Sequence, residues 1–378
     1  MTRTRSTTFQ RIWLPGLAFK AVVIGGGYAT GRELASFFLP SGPWGGLFGM
    51  LLATAIWSTV CALTFLLALG TQSFDYRTFF KALLGPIWPV FEIAYLLALT
   101  LILAVFAAAA GAIGEAVFGL PTLAGVFVLM VSIMFVVSWG NAAVERLFKY
   151  VSILLYMTYA VFLILGLTHF GERTLAVLAR PTPTTGWAEG GLSYAGYNVI
   201  GAAIILPVAR HLRTPRDAVI AGALAGPLAM LPALLFFICM IAFYPEIRTQ
   251  TLPSDFLLTK LNLPAFRLVF QLMIFAALLE SATGGIHAIN ERVAQTYLQR
   301  RGRVLPKWGR LLIAGAILTL SVFAAARFGL VALIASGYRG LSFIFLAVYV
   351  APLLTLGVWK LFRFRRRGSI TEAAPVRR

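Results

Sequence analysis

Apolar residues along this chain gather in ten blocks, at 14–38, 44–69, 87–110, 121–140, 147–168, 187–207, 218–243, 265–289, 309–326 and 329–357. Each is about the ~20 residues that a helix needs to cross the hydrocarbon of a bilayer, or longer. The pattern predicts an all-α polytopic membrane protein with ten transmembrane helices. The first block breaks its own rule. Between Lys20 and Phe38 it reads Lys-Ala-Val-Val-Ile-Gly-Gly-Gly-Tyr-Ala-Thr-Gly-Arg-Glu-Leu-Ala-Ser-Phe-Phe, with Gly25, Gly26 and Gly27 where a spanning helix should be most regular. Thr30 and Glu33 then have the Thr-x-x-Glu spacing of a capping box, so one helix should stop near Gly25 and another start near Thr30. Backbone freed at that depth is tolerated only where protein covers it or where it lines a cavity. A cavity at the midplane is what a transporter needs.

Composition agrees with the pattern. Of 378 residues, 60% are hydrophobic and 12% charged, and the mean hydropathy is +0.86, which excludes an ordinary soluble domain. The net charge of +19 suggests nucleic acid until its distribution is read. With the N-terminus inside, 23 of the 32 Lys/Arg fall in cytoplasmic segments, six in outer segments and three (Lys20, Arg32 and Arg339) within spans. That is the positive-inside asymmetry, and it predicts both termini in the cytoplasm and no nucleic-acid partner. The basic run from Lys360 to Arg367 favours anionic lipid headgroups at that face. No cleavable signal peptide is expected, because Arg3, Arg5 and Arg11 lead into a span too long for one. Trp13, Trp44, Trp88, Trp139, Trp187, Trp308 and Trp359 sit near block ends, as interfacial indoles do, and Trp57 alone is deep. Cys61 and Cys239 read as small core residues.

Ten spans divide as five and five. The expected organisation is a cytoplasmic tail (1–13), a first repeat (14–168), an external linker (169–186), a second repeat (187–357) and a basic cytoplasmic tail (358–378). Five is odd, so two copies of one fold would insert with opposite topology, and paired broken spans mark such inverted repeats. The sixth span carries Gly190, Gly191, Gly196, Asn198 and Gly201, and is predicted to be discontinuous like the first. The alternative is that its glycines only let helices approach closely. Between spans seven and eight, Ser254 to Leu261 reads as a short amphipathic helix bounded by Pro253 and Pro264, either an external gate or a connector.

Ionised groups in the membrane are costly, about 2.5–3.5 kcal/mol each even on a mild scale, so those present call for partners. Two pairings are expected: Lys20 with Glu92 or Glu280 towards the inside, and Glu33 with Arg339 towards the outside, with Arg32 also within the membrane. Glu33 has a second reading as the capping partner of Thr30. On span eight, Ser281 and Thr283 beside Gly284 and Gly285 offer oxygen ligands to a small cation, together with carbonyls at Ile24 and Gly25. Otherwise those hydroxyls bond back to their own helix. Glu280 offers proton coupling in the same place. No metal-ligand cluster occurs in the sequence, and no cofactor is expected beyond a coupling ion, H+ or Na+.

The run from Gly25 to Leu34, Gly-Gly-Gly-Tyr-Ala-Thr-Gly-Arg-Glu-Leu, resembles the first-helix signature of the YkvI-like membrane proteins. That group resembles a branch of the amino acid–polyamine–organocation superfamily, whose members share the LeuT-type five-plus-five fold. The stretch from Asn141 to Lys149 is similar to the inner turn before helix five of that fold, and Thr283 resembles a sodium-binding hydroxyl. The resemblance implies a substrate held against Ile24, Gly25, Gly26, Gly27, Tyr28 and Thr30 and against Tyr194, Gly196, Tyr197 and Asn198. It also implies an ion near Ile24, Gly25 and Thr283. Gly284 departs from the family's second hydroxyl, which leaves sodium and proton coupling both open.

The leading functional expectation is a secondary transporter for a small polar, amino-acid-like solute, working by alternating access from a bacterial cytoplasmic membrane. A second is a sensor or regulatory protein of the same fold. A third, an intramembrane enzyme, rests on Gly191-Leu-Ser193-Tyr-Ala195-Gly196, which misses a nucleophile elbow by Ala195 and has no histidine at matching depth.

Overall fold

The computed structural model describes residues 7–24, 26–139 and 141–366, and among them every element is helical. Gly25, the segment 1–6 and the basic segment 367–378 lie outside the described residues. Six helical stretches are long and apolar enough to cross a membrane: Leu39–Thr71, Pro89–Phe118, Ile153–Leu178, Pro215–Ile241, Pro264–Ala294 and Trp308–Phe364. Large apolar side chains such as Leu51, Ile93, Met157, Ile164, Leu175, Leu312 and Phe323 point outward, more than half exposed. A water-soluble monomer does not display such a girdle, whereas lipid tails cover it at no cost. This is an integral membrane architecture.

The chain begins with α1 (Leu14–Val23), α2 (Gly26–Ala29) and α3 (Arg32–Phe37), three short helices in place of one rod. There follow α4 (Gly42–Thr71), α5 (Tyr76–Leu84), α6 (Pro89–Phe118), α7 (Thr122–Trp139) and α8 (Asn141–Leu178). The second half holds α9 (Trp187–Asn198), α10 (Ile200–Ile204), α11 (Pro215–Ile241), α12 (Pro253–Leu261), α13 (Pro264–Arg301) and α14 (Lys307–Ala332). After α14 a run of π-helical and α-helical turns, with α15 (Arg339–Phe345) and α16 (Val358–Arg366), ends the described chain. Gly329, at φ +70 and ψ 169, breaks the helical path near the end of α14.

Small residues set the close crossings. A Cβ on Gly222 of α11 would stand 2.3 Å from the Ala62 backbone of α4, and one on Gly226 would stand 2.4 Å from the Thr54 carbonyl. Ser58 of α4 donates to the Ala223 carbonyl at 2.9 Å across the same crossing. α4 also packs on α9, and α11 packs on α1, so the helices that hold α1 and α9 clasp each other. Trp57 is fully buried, and its indole N–H donates to the Ala195 carbonyl of α9 at 3.2 Å. Trp44, Trp187, Trp308 and Trp359 are all exposed, in keeping with an interfacial place.

Candidate functional site

The site starts from the backbone of the first span. α1 ends at Ile24, whose φ of −83 and ψ of 76 leave the helical region. α2 lasts four residues, and Gly31 then takes φ +75 before α3 begins. A side chain at Gly31 would be strained in that conformation, and its Cβ would stand 2.6 Å from the Phe236 ring and 3.2 Å from Pro253. The freed backbone groups find specific partners. The Thr30 carbonyl accepts from the Ser254 amide of α12 at 3.0 Å, and the Thr30 hydroxyl accepts from the Arg32 amide at 3.2 Å. The helix in the connection between α11 and α13 therefore caps the exposed end of α2.

The capping box is not formed. Glu33, 5% exposed, accepts a 2.5 Å hydrogen bond from the Tyr197 hydroxyl of α9 instead of reaching back to Thr30. Gly31, not Thr30, holds the N-cap position of α3. A glycine in the left-handed region turns the chain between Thr30 and α3, and Glu33 bonds to Tyr197 of α9. Tyr197 stacks on Tyr338 at 4.4 Å between ring centroids.

Between the two halves lies a wall of phenols. Tyr28 of α2, Tyr159 of α8 and Tyr194 of α9 are buried; the Tyr28 and Tyr159 hydroxyls lie near each other without well-formed hydrogen-bond geometry, and the Tyr194 hydroxyl has no hydrogen-bond partner among the described residues. Tyr28 and Tyr159 are 6.3 Å apart at their ring centroids; Tyr194 packs 5.4 Å from Trp57 and 4.8 Å from Phe38. The fully buried Thr283 hydroxyl on α13 is likewise unpartnered, so it does not bond back to its own helix. Leaving a buried hydroxyl unsatisfied costs about 1–3 kcal/mol, so such groups are candidates to bind a polar solute or an ion. Ile24 is buried, while Gly26 and Gly27 form the first half of α2. Ser281 and Glu280 lie on the same helix as Thr283, both partly exposed.

The sixth-span glycines serve packing. Val199 separates α9 from α10, yet its φ of −59 and ψ of −22 stay helical, so the expected unwinding is not found there. A Cβ on Gly190 would meet the Phe37 carbonyl at 2.0 Å, on Gly191 the Gly49 carbonyl at 2.5 Å, on Gly196 the Ser342 side chain at 2.9 Å, and on Gly201 the Phe19 ring at 3.0 Å. Each of these contacts needs the missing side chain, and none needs a broken helix. Asn198 donates to the Tyr194 carbonyl one turn back at 3.0 Å, a bond within its own helix.

The expected ion pairs are rearranged. Arg339 pairs with Glu189 at 3.0 Å in an exposed position, not with Glu33. Arg32 reaches the connection between α11 and α12 and donates to the Arg248 and Gln250 carbonyls at 3.0 and 2.6 Å and to Ser36 at 3.1 Å. Lys20 sits 4.6 Å over the Tyr156 ring, and no ion pair to it is found among the described residues. Glu92 pairs with Arg292 at 3.0 Å and Arg77 at 3.7 Å, because the start of α6 lies beside α5 and the end of α13 rather than beside α1. Tyr76 joins that cluster: burial pushes its phenol up to about 12, against the opposing pull of Arg292 and Arg77. Sequence reasoning missed Tyr159, Tyr338 and Ser342, which carry no motif and are found only by helix packing. It also left Asp255 unassigned; that carboxylate holds Arg267 at 2.7 and 2.8 Å and fixes α12 to the start of α13.

Outside this region, a cavity of about 630 Å³ is lined by Arg32, Ala35, Ser36, Glu246, Arg248 and Ala335 among others. It opens on the flank of α3 that carries Arg32, Ala35 and Ser36.

No family model matches the chain. It is similar to the uncharacterized membrane protein YkvI of Bacillus subtilis (strain 168), with 24% identity over 296 residues covering 76% of this chain and 83% of the relative. Among solved structures it is similar to MhsT in complex with L-phenylalanine, with a TM-score of 0.56 and 19% identity over 97% of both chains. It is also similar to Mhp1, a nucleobase-cation-symport-1 family transporter with bromovinylhydantoin bound (TM-score 0.55, 12% identity, 96% of this chain and 81% of that one). A manganese transporter of Eremococcus coleocola matches as well, with a TM-score of 0.55 and 13% identity over 94% of this chain and 80% of that one. The fold is that of the LeuT-type transporters.

Proposed function

We propose that the chain is a secondary transporter, not an enzyme, that binds a small polar, amino-acid-like solute between its first and sixth spans and works by alternating access. The observation that carries the reading is the departure from helix at Ile24 and Gly31, in a first span whose Tyr28 packs by Tyr159 in a buried set of phenols that includes Tyr194. Peptide groups freed from a helix present fixed dipoles to a carboxylate or an ammonium, and flanking phenols supply further hydrogen bonds. The L-phenylalanine in the complex of MhsT motivates the choice of an amino-acid-like solute.

In this reading α1 to α3 together make the first span and α9 with α10 the sixth, within ten spans arranged as a 5+5 inverted repeat, 14–168 and 187–357. The reciprocal packing of α4 on α9 and of α11 on α1 supports that symmetry. The break at Gly329 supports two crossings in the stretch of 57 residues from Trp308 to Phe364, which at ~1.5 Å per residue is far longer than one crossing requires. Both termini lie in the cytoplasm of a bacterial inner membrane, with anionic lipid at the basic face. Thr283, Ser281 and Glu280 with the Ile24 backbone are the candidate coupling-ion groups. The test is uptake of a labelled amino-acid panel into proteoliposomes, with and without sodium or proton gradients. Accumulation that needs a gradient supports the carrier. Conversion to a new product would replace it with an enzyme, and binding without uptake would favour the sensor.

A further inference from the structure

We infer that Glu33 is a proton-carrying group of this protein, which makes the proton a coupling ion in addition to any ion held at Thr283; the coupling role rests on the transporter reading above. Glu33 is buried, and its hydrogen-bond partner is a neutral phenol, Tyr197 at 2.5 Å. The groups that face it from each neighbouring element are also neutral phenols or are engaged elsewhere. From α2 comes Tyr28, from α9 Tyr194 and Tyr197, and from the turn before α15 Tyr338. Next to it on α3, Arg32 spends its guanidinium on the Arg248 and Gln250 carbonyls and on Ser36. Arg339, at the start of α15, is held by Glu189. On the outer connection, Glu246 and Arg248 line the outer cavity, and on α12 Asp255 is bound to Arg267 while Lys260 lies over Phe243 and Phe256.

A carboxylate shut in such surroundings has no cation to offset the loss of water, whereas the neutral acid keeps the same phenol bond without that cost. Aromatic rings fill the space: Tyr197 lies 4.4 Å from Tyr338 and 5.9 Å from Phe37. A proton fits where a solute does not. Glu33 also sits two residues beyond the left-handed Gly31, on a helix whose other flank lines the outer cavity. Turning α3 about that point exposes the carboxyl to outer water in one state and withdraws it in the other. The step is a plain protonation: an O–H bond forms at Glu33 with a proton from outside and breaks to release it inside, with nothing oxidised or reduced.

The first test needs no solute. Infrared difference spectra of the purified protein in liposomes at neutral pH should show the C=O stretch of a protonated buried carboxyl. That band should vanish in Glu33→Gln, persist in Glu189→Gln, and shift in frequency in Tyr197→Phe, which removes the hydrogen bond but keeps the acid. The second test is uptake of the labelled amino-acid panel. Glu33→Gln should lose accumulation driven by a pH gradient while still exchanging solute across the membrane. A wild-type spectrum whose protonated-carboxyl band is unchanged by Glu33→Gln overturns the inference, whether or not the protein transports. Accumulation driven by sodium and unaffected by Glu33→Gln overturns it also. If the wild type accumulates nothing under any gradient, the transporter reading fails instead, and the band alone decides whether Glu33 holds the proton.

Discussion

Three glycines form a graded test of the bend at the first span. Gly31→Ala adds a methyl group at φ +75, where an L-residue loses about 1–2 kcal/mol. The same methyl meets Phe236 at 2.6 Å and Pro253 at 3.2 Å in a packed region, and overpacking costs about 1–3 kcal/mol more. The expected loss is about 2–5 kcal/mol. Gly119→Ala carries a similar φ of +63 with nothing within 4 Å, so only the conformational part, about 1–2 kcal/mol, applies. Gly340→Ala in α15 has neither penalty and should be neutral or stabilising by about 0.4–1 kcal/mol, since alanine restricts the unfolded chain. Apparent melting temperatures of the purified variants in one detergent should therefore rank Gly340→Ala, wild type, Gly119→Ala and Gly31→Ala from highest to lowest. Adding Phe236→Leu to Gly31→Ala should cost less than Phe236→Leu costs alone, because the two changes share one clash. If Gly31→Ala melts with Gly119→Ala, the tight seat against Phe236 and Pro253 is wrong, and with it the idea that α12 buttresses the bend.

Other outcomes follow from single contacts. Thr283→Val removes a buried hydroxyl that has no partner among the described residues, so stability without sodium should hold or rise; a clear loss there would show that the hydroxyl is bonded after all. If sodium binds at Thr283, it should raise the melting temperature of the wild type and not of this variant. Trp57→Phe removes the indole donor from the Ala195 carbonyl, which keeps the Val199 amide at 3.1 Å, so the lost bond should cost about 0.5–1.5 kcal/mol, whereas an unchanged melt would mean the indole bond does not form. Breaking the Arg339–Glu189 pair should leave the melting temperature nearly unchanged, because both groups are about half exposed or more.

Much of the architecture was legible because helices in lipid announce themselves by length and apolarity. Seven of the ten predicted spans fall on the six described helical stretches long enough to cross, two of them sharing Trp308–Phe364, and the short helix at Pro253 follows from its flanking prolines and its mixed face. The candidate site was only partly legible. Its glycines look alike in sequence, but their roles differ: Gly31 supplies a left-handed turn, while Gly190, Gly191 and Gly196 supply contact with Phe37, Gly49 and Ser342. Which role applies depends on a neighbour far away in the chain. The same holds for charges. Sequence depth suggested Arg339 for Glu33, yet Glu33 is bonded to Tyr197 and Glu189 takes the arginine. Thr30 and Glu33 had the right spacing for a cap, but a glycine between them can reorient the helix start, as it does here.

Solute counterflow tests the transporter account most directly, because it reads alternating access without needing the coupling ion. Liposomes carrying the purified protein are loaded with an unlabelled amino-acid mixture and diluted into trace labelled solute. The account predicts that at least one solute enters faster when its unlabelled form is inside, and that Gly31→Ala loses this acceleration. Entry no faster than in protein-free liposomes, for every solute tried, would contradict it.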